Sequence, residues 1–233
     1  MQIIESSIFG VRSVRMVLTS KDHPHEVTLF PMIHIGEATF FEAVIADAVS
    51  HDIVLHEGVK SRHSKRLTRS YRWAAVSKKL GLRLQQQFRA KEICDTRVIR
   101  ADLDTDEFDR LWRGLPFRLR CLAYFLPSLV GLQRRLFATR ESLAEGIAMS
   151  DHTSSQEWLD WGDDVDAFFG VILRAHDRRL IECLEEVLAE PCDEPRRIAI
   201  VYGARHMRAV LRHLTKDYRF RVSENRWMTV WHL

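Results

Sequence analysis

The sequence has few cysteines, no low-complexity tract or evident repeat, and no long uninterrupted apolar run. Its four cysteines are scattered and form no Cys-x-x-Cys pair, so we expect reduced thiols and no zinc–cysteine site. The first ten residues lack the basic-then-apolar pattern of a signal peptide. The longest apolar stretch, near Cys121–Leu132, is interrupted by Pro127 and is too short to span a bilayer. We therefore expect a cytoplasmic protein without a membrane span.

Composition and charge indicate one globular domain. The 233 residues are 46% hydrophobic and 29% charged, enough for a single α/β domain over 1–233. Thirteen Lys or Arg residues fall within Lys60–Arg100, whereas Glu141–Leu173 has eight acids and no Lys or Arg. We interpret these runs as solvated helical faces and do not favour a nucleic-acid partner. The alternative use of Lys60–Arg100 is as a contact surface of a domain without enzymatic activity.

Both ends of the chain predict strands of one sheet. Val14–Thr19 and Glu26–Ile35 have strand character, Ala38–Val49 has helical spacing, and Asp52–Glu57 is a short apolar strand. Ile198–Tyr202 is a further apolar, β-branched run that is typical of a buried strand. A strand, a helix and a second strand in succession indicate a parallel sheet, because a parallel pair needs a crossover connection.

The remaining segments give a closing hairpin and a mostly helical middle. We predict the hairpin from Tyr218–Val222 and Trp227–His232, and a helical insertion at about 61–195. The insertion is expected to contain helices at Ser64–Leu80, from Thr105, from Pro116 towards Thr139 and over Leu173–Leu188, capping boxes at Ser142 and Ser154, and a strand at Val98–Ala101. The predicted fold class is mixed α/β, with a central sheet built from both chain ends and flanked by helices.

Three polar residues follow predicted parallel strands. His34 ends the Glu26–Ile35 strand, Glu57 ends its neighbour, and His206 lies just beyond Ile198–Tyr202. Because the carboxyl ends of parallel strands meet at one edge of a sheet, where ligands bind, these side chains are expected to converge. Two imidazoles and one carboxylate are a common ligand set for zinc, iron or manganese. Without a metal, the same set supplies a general base and its orienting acid.

Gly203 lies between the last of these strands and His206. A glycine here indicates a sharp turn or a close approach of another group. We predict that Gly203 sits tight against a neighbouring backbone or adopts a conformation that disfavours other residues.

These residues also carry a family resemblance. The segments Ile33–Gly36, Asp52–Glu57 and Gly203–Met207 resemble the TraB/PrgY/GumN family, which is related to Tiki proteases, erythromycin esterases and ChaN haem-binding proteins. The hallmarks of that group are two Gly-x-x-His motifs and a Glu at the end of the following strand. Gly203–His206 completes the second motif, whereas Pro31 replaces the glycine of the first. The group tends to have Arg-Asn or Arg-Asp in the long helix before the last motif, where this chain has His176–Arg179.

The resemblance implies a mixed α/β fold with its site at the strand ends. Tiki-like members imply metal-dependent peptidase activity, esterase-like members a histidine base, and ChaN-like members haem binding. The first hypothesis is a hydrolase of peptides or esters that uses a divalent metal (Mn, Co, Zn or Fe) held by His34, Glu57 and His206. His176, Asp177 or Arg178 would orient ligands or stabilise charge from behind them. The alternative is a non-catalytic protein that binds haem, iron or another ligand at the same site.

Overall fold

The computed structural model describes residues 2–58, 79–85, 96–152 and 163–233. The strands are β1 (Ile4–Ser7), β2 (Gly10–Thr19), β3 (Glu26–Met32), β4 (Ile35–Gly36), β5 (Ile53–His56), β6 (Arg83–Leu84), β7 (Arg97–Arg100), β8 (Arg197–Gly203) and β9 (Arg221–His232). The helices are α1 (Ala38–Ala48), α2 (Thr105–Arg113), α3 (Phe117–Phe137), α4 (Arg140–His152), α5 (Asp163–Ala189) and α6 (Ala204–Asp217).

A seven-stranded mixed sheet confirms the predicted α/β fold class. Its order is β1-β2-β3-β8-β5-β7, with β9 also paired to β2. Strands β1 and β3 pair with the first and the last residues of β2, and β9 pairs with β2 over its whole length. Strands β3, β8, β5 and β7 run parallel, while β2 is antiparallel to β1, β3 and β9. The chain ends supply most of the sheet, as predicted, and the middle contributes its edge strand β7. Strands β4 and β6 form a separate two-stranded sheet.

The parallel strands form the core of the molecule. All five residues from Ile198 to Tyr202 are at most 1% exposed, as expected for a strand that is covered on both faces. Pro31 is tolerated within β3 because the ladder between β2 and β3 ends at Leu29, before the proline that lacks an N–H.

The predicted closing hairpin is wrong, because β9 is one strand of twelve residues. Its middle pairs with β2, with Asn225 opposite Met16 and Glu224 opposite Val17. The polar residues that suggested a turn are exposed on this edge strand, where the sheet does not require them to be apolar. Two register shifts let β9 follow β2 over its whole length.

The helices mostly follow the predicted spacing, but the residues that cap them are not the ones predicted. Asp104, rather than Thr105, caps α2, because its carboxylate accepts from the Glu107 amide at 2.7 Å. Thr139 and Ser142 cap α4 reciprocally, so Ser142 lies inside the first turn and is not the cap residue. The predictions at Ser64–Leu80 and Ser154 fall largely or wholly outside the described residues.

The described helices also bear on the prediction of no membrane span. None of them combines the length and the apolar character that a bilayer crossing requires.

Candidate functional site

The three strand-end residues line one cavity of about 630 Å³. His34 follows β3, Glu57 follows β5, and His206 is in the first turn of α6, directly after β8. Strand β8 lies between β3 and β5, so the three residues come from neighbouring parallel strands. The parallel sheet therefore brings together the residues that strand position alone had grouped.

A carboxylate on the neighbouring helix α5 holds His206. Its Nδ1 lies 2.7 Å from Asp177 Oδ1, and the ring packs edge-on against Tyr202 with centroids 4.9 Å apart. Because an ionised carboxylate only accepts hydrogen bonds, Nδ1 carries the proton of the neutral ring. Nε2 then bears the lone pair, which is the arrangement of a general base or of a metal ligand.

Gly203 makes room for Glu57 beside His206. Its backbone N–H donates to Glu57 Oε2 at 2.8 Å. A Cβ atom added to Gly203 would lie 3.1 Å from that oxygen and 3.4 Å from Cδ2 of His206. The close approach is thus by side chains rather than by a neighbouring backbone. The predicted unusual conformation is wrong, because φ −51° and ψ 135° are ordinary extended values.

His34 has a weaker anchor than His206. It lies in the short connection between β3 and β4 and is half-buried. Its Nδ1 is 3.2 Å from Oε1 of the Gln85 side chain, and the backbone N–H of Gln85 donates to the backbone carbonyl of His34 at 2.9 Å. The amide oxygen of Gln85 selects the same tautomer as Asp177 does for His206, but without a formal charge.

His176 belongs to a buried network behind His206. Its Nδ1 lies 2.7 Å from Asp102 Oδ1, and its ring centroid is 5.6 Å from that of His206. Asp102 also accepts hydrogen bonds from Tyr202 Oη at 3.1 Å and from the Gly58 amide at 2.7 Å. His176 is thus held behind His206, whose ring it contacts.

Electrostatics within this network favour an ion pair. Burial raises the pKa of Asp102. The hydrogen bond to His176, the charge of His176 and hydrogen bonds from two backbone amides together lower that pKa by more, so the net shift is downward. Burial lowers the pKa of His176, and the hydrogen bond and charge of Asp102 outweigh it, so the net shift is upward. Burial, followed by the charge of Asp102, raises the pKa of Tyr202 and keeps it protonated.

Arg178 does not reach the cavity. Its side chain is 64% exposed and lies 3.6 Å from Glu107 and 3.8 Å from Glu182. Four further residues were expected to support His34, Glu57 and His206. Gly203 forms a hydrogen bond with Glu57, Asp177 forms one with His206, and His176 contacts the ring of His206, whereas Arg178 does none of these. The predicted orienting role thus has a geometric basis for Asp177 and His176 but not for Arg178.

Sequence reasoning missed Asp102, Tyr202 and Gln85. Asp102 follows the predicted strand Val98–Ala101, so the rule that singled out Glu57 at a strand end applies to it equally. The sequence places Tyr202 in a buried strand, and a buried tyrosine hydroxyl needs a hydrogen-bond partner, which is the signal that could have identified it. Gln85 contacts His34 through the small sheet formed by β4 and β6, for which the sequence offers no clear signal.

The types of donor at the site fit a divalent metal, but their arrangement does not. Imidazole nitrogen and carboxylate oxygen are suitable ligands for Mn, Co, Zn or Fe. Over residues 2–58, 79–85, 96–152 and 163–233, no group of three or more His, Cys, Asp or Glu side chains is close enough to hold a metal ion. The described conformation is therefore not a preformed metal site.

Comparison of the chain with protein-family models, with curated proteins and with solved structures finds no match. The resemblance to the TraB/PrgY/GumN family stays a prediction.

Proposed function

We propose that the protein is a hydrolase of ester or peptide bonds that activates water at Nε2 of His206. The observation that carries the proposal is the 2.7 Å contact of His206 with Asp177 beside the Glu57 carboxylate, at the wall of a cavity large enough for a small substrate. A histidine whose Nδ1 is held by a carboxylate is suited to general-base catalysis.

The proposed reaction uses the side chains of this cavity. Nε2 of His206 accepts a proton from water, and the resulting hydroxide attacks the substrate carbonyl. Asp177 stabilises the imidazolium through Nδ1, and the ring then gives the proton to the departing alcohol or amine. Glu57, fixed by the Gly203 amide, accepts a hydrogen bond from the water or the substrate. His34, at the carboxyl end of the neighbouring strand β3, lines the same cavity and would help to position the substrate.

Hydrolysis of p-nitrophenyl esters and of a fluorogenic peptide library by the full chain tests the proposal. Asp177→Asn keeps the size of the side chain but removes its charge, so we expect kcat to fall about 10- to 100-fold. His232→Gln is the matched control, since that side chain is 69% exposed on β9, and it should keep full activity. Wild-type protein with no activity on either substrate class would end the hydrolase proposal.

A metal-bound form is a second route to the same activity. Nδ1 of each histidine faces a hydrogen-bond acceptor, as in most metal-ligating histidines. We propose that His34, Glu57 and His206 would hold the metal after moving closer together than in the described conformation, and that the metal would lower the pKa of a bound water. Calorimetric titration with Mn, Co and Zn should show uptake that is lost in His206→Ala. No uptake, together with activity that survives a chelator, would leave the metal-free base as the mechanism.

The lining of the cavity favours one alternative, a non-catalytic ligand-binding protein. Apolar side chains such as Met32, Phe137 and Trp231 surround the polar residues, which suits haem or another largely apolar ligand. Titration with haem and detection of a Soret shift that His206→Ala abolishes would support this function. The absence of that shift, combined with ester or peptide hydrolysis, would support the enzyme.

A further inference from the structure

Helix α3 exposes an apolar face to solvent. Four of its large apolar residues follow one another at spacings of four, three and four, which places them along one side of the helix. Their exposed fractions are 75% for Phe125, 66% for Leu129, 47% for Leu132 and 60% for Leu136. Surface helices usually bury their apolar side, so an exposed apolar stripe departs from the usual orientation. We call these four residues the α3 apolar face.

The charge of α3 has one sign. The helix contains four arginines and no acidic residue, and two of the arginines, Arg118 and Arg135, are exposed. Phe117 and Phe137, at its two ends, are also exposed. An exposed apolar face combined with cationic side chains is the pattern of a helix that lies in the surface of a membrane.

We propose that α3 docks the protein onto an anionic membrane surface. A helix of 21 residues is about 30 Å long and, with two arginines near each end, suits an orientation parallel to the lipid plane. Lipid tails accept the α3 apolar face, and anionic headgroups attract the arginines. A second copy that docked through its own α3 is a poorer partner for this face, because that helix would bring four further arginines and no acid.

The same helix forms part of the cavity wall. Val130, Gln133, Arg134 and Phe137 line the cavity from the side next to the α3 apolar face. Docking through α3 would therefore hold the cavity close to the lipid surface. The docking surface does not depend on the proposed hydrolysis, so either proposal can fail without the other.

Vesicle flotation of the full chain tests the proposal. We expect binding to phosphatidylcholine vesicles that contain phosphatidylglycerol, weaker binding to pure phosphatidylcholine, and weakening by salt. Phe125→Ser with Leu129→Ser should lower the partition coefficient at least about tenfold. Arg118→Gln with Arg135→Gln should lower it about fivefold per arginine, and only on anionic vesicles.

The matched control uses exposed apolar residues outside α3. Ile8 and Phe9, in the turn between β1 and β2, are both exposed, and Ile8→Ser with Phe9→Ser should leave binding unchanged. Circular dichroism checks that each variant is folded. No flotation of wild type with either vesicle, or an equal loss in the Ile8 and Phe9 control, would overturn the proposal. Concentration-dependent dimers that the Phe125 and Leu129 variant abolishes, without vesicle binding, would assign the face to a second copy instead.

Discussion

His206 and His34 reach the same cavity from two parallel strands, but the surroundings of the two rings differ. A carboxylate holds His206 on a helix, and the buried rings of Tyr202 and His176 pack against it. An amide holds half-buried His34 in a short connection between strands. The two histidines also differ in the residue three positions before them, which is Gly203 for His206 and Pro31 for His34.

The difference in surroundings favours His206 as the reacting group and His34 as a positioning group. A negative charge next to Nδ1 stabilises the imidazolium that a general base becomes, whereas a neutral amide only fixes the ring. The glycine also lets Glu57 approach the backbone beside His206, and proline at the equivalent place has no N–H to offer a carboxylate. We therefore expect the chemistry to concentrate on the His206 side of the cavity.

The largest expected effect is the loss of the base. His206→Gln should lower kcat about 100- to 10,000-fold, because Asp177 holds Nδ1 of His206, whereas Nδ1 of His34 faces the side-chain amide oxygen of Gln85. His34→Gln is the matched variant and should lower kcat at most about tenfold. Steady-state hydrolysis of p-nitrophenyl esters measures both. Equal losses in the two variants would show that the two histidines act as one unit and would break the proposed division.

The next largest effect is on stability. Asp102→Ala would leave the buried His176 ring, Tyr202 hydroxyl and Gly58 amide without their common acceptor. We expect the free energy of unfolding to fall by about 3–5 kcal/mol in urea denaturation at neutral pH. Gln85→Ala, which removes the anchor of His34, should cost about 1 kcal/mol. If the two variants lost equal stability, the buried network would not be the stronger support.

Strand position predicted the site better than sequence pattern predicted its support. Apolar runs gave β3, β5 and β8, and the geometry of parallel strands then placed His34, Glu57 and His206 at one cavity. Contacts such as that between His176 and Asp102 join residues that are far apart in the sequence, and neither residue type requires the other locally. Only the packing of α5 against the sheet brings them together.

Periodicity also left the role of α3 undetermined. A stripe of Phe and Leu at helical spacing predicts an amphipathic helix but does not say whether that stripe faces the core or solvent. The prediction of a closing hairpin failed for a related reason. Polar residues such as Ser223–Arg226 are typical of a turn, but they are equally acceptable on an exposed edge strand.

Crowding at Gly203 should have an intermediate effect. Gly203→Val would press methyl groups towards Glu57 Oε2 and the His206 ring, and we expect a loss of about 1–3 kcal/mol in thermal unfolding. Activity should fall as well, because the added side chain would push Glu57 away from the backbone N–H at position 203. Gly146→Val is the control for a glycine that lines the same cavity, since an added Cβ there meets nothing within 4 Å. An unchanged melting temperature and unchanged activity in Gly203→Val would refute the close-approach role.

The smallest expected effect is a pH dependence of stability that comes from the buried pair of His176 and Asp102. The folded pKa of His176 lies above its unfolded value of about 6.5, so protonation contributes stability that is fully present below that pH. This contribution is lost as pH rises through the folded pKa. The folded pKa of Asp102 is lowered, so its contribution is present above its unfolded value of about 3.9 and is lost as pH falls through its folded pKa. The pair therefore stabilises the fold most between about pH 4 and 6.5.

Differential scanning calorimetry of wild type and His176→Gln from pH 4 to pH 9 measures this dependence. The difference in melting temperature should be largest under mildly acidic conditions and should shrink above about pH 6.5. Taking the difference removes the opposite trend of His25, His51 and His56, whose pKa values burial lowers. The negatively charged groups that act on His176 are Asp102, Glu57 and Asp177. A difference that is flat with pH would contradict an ion pair between His176 and Asp102.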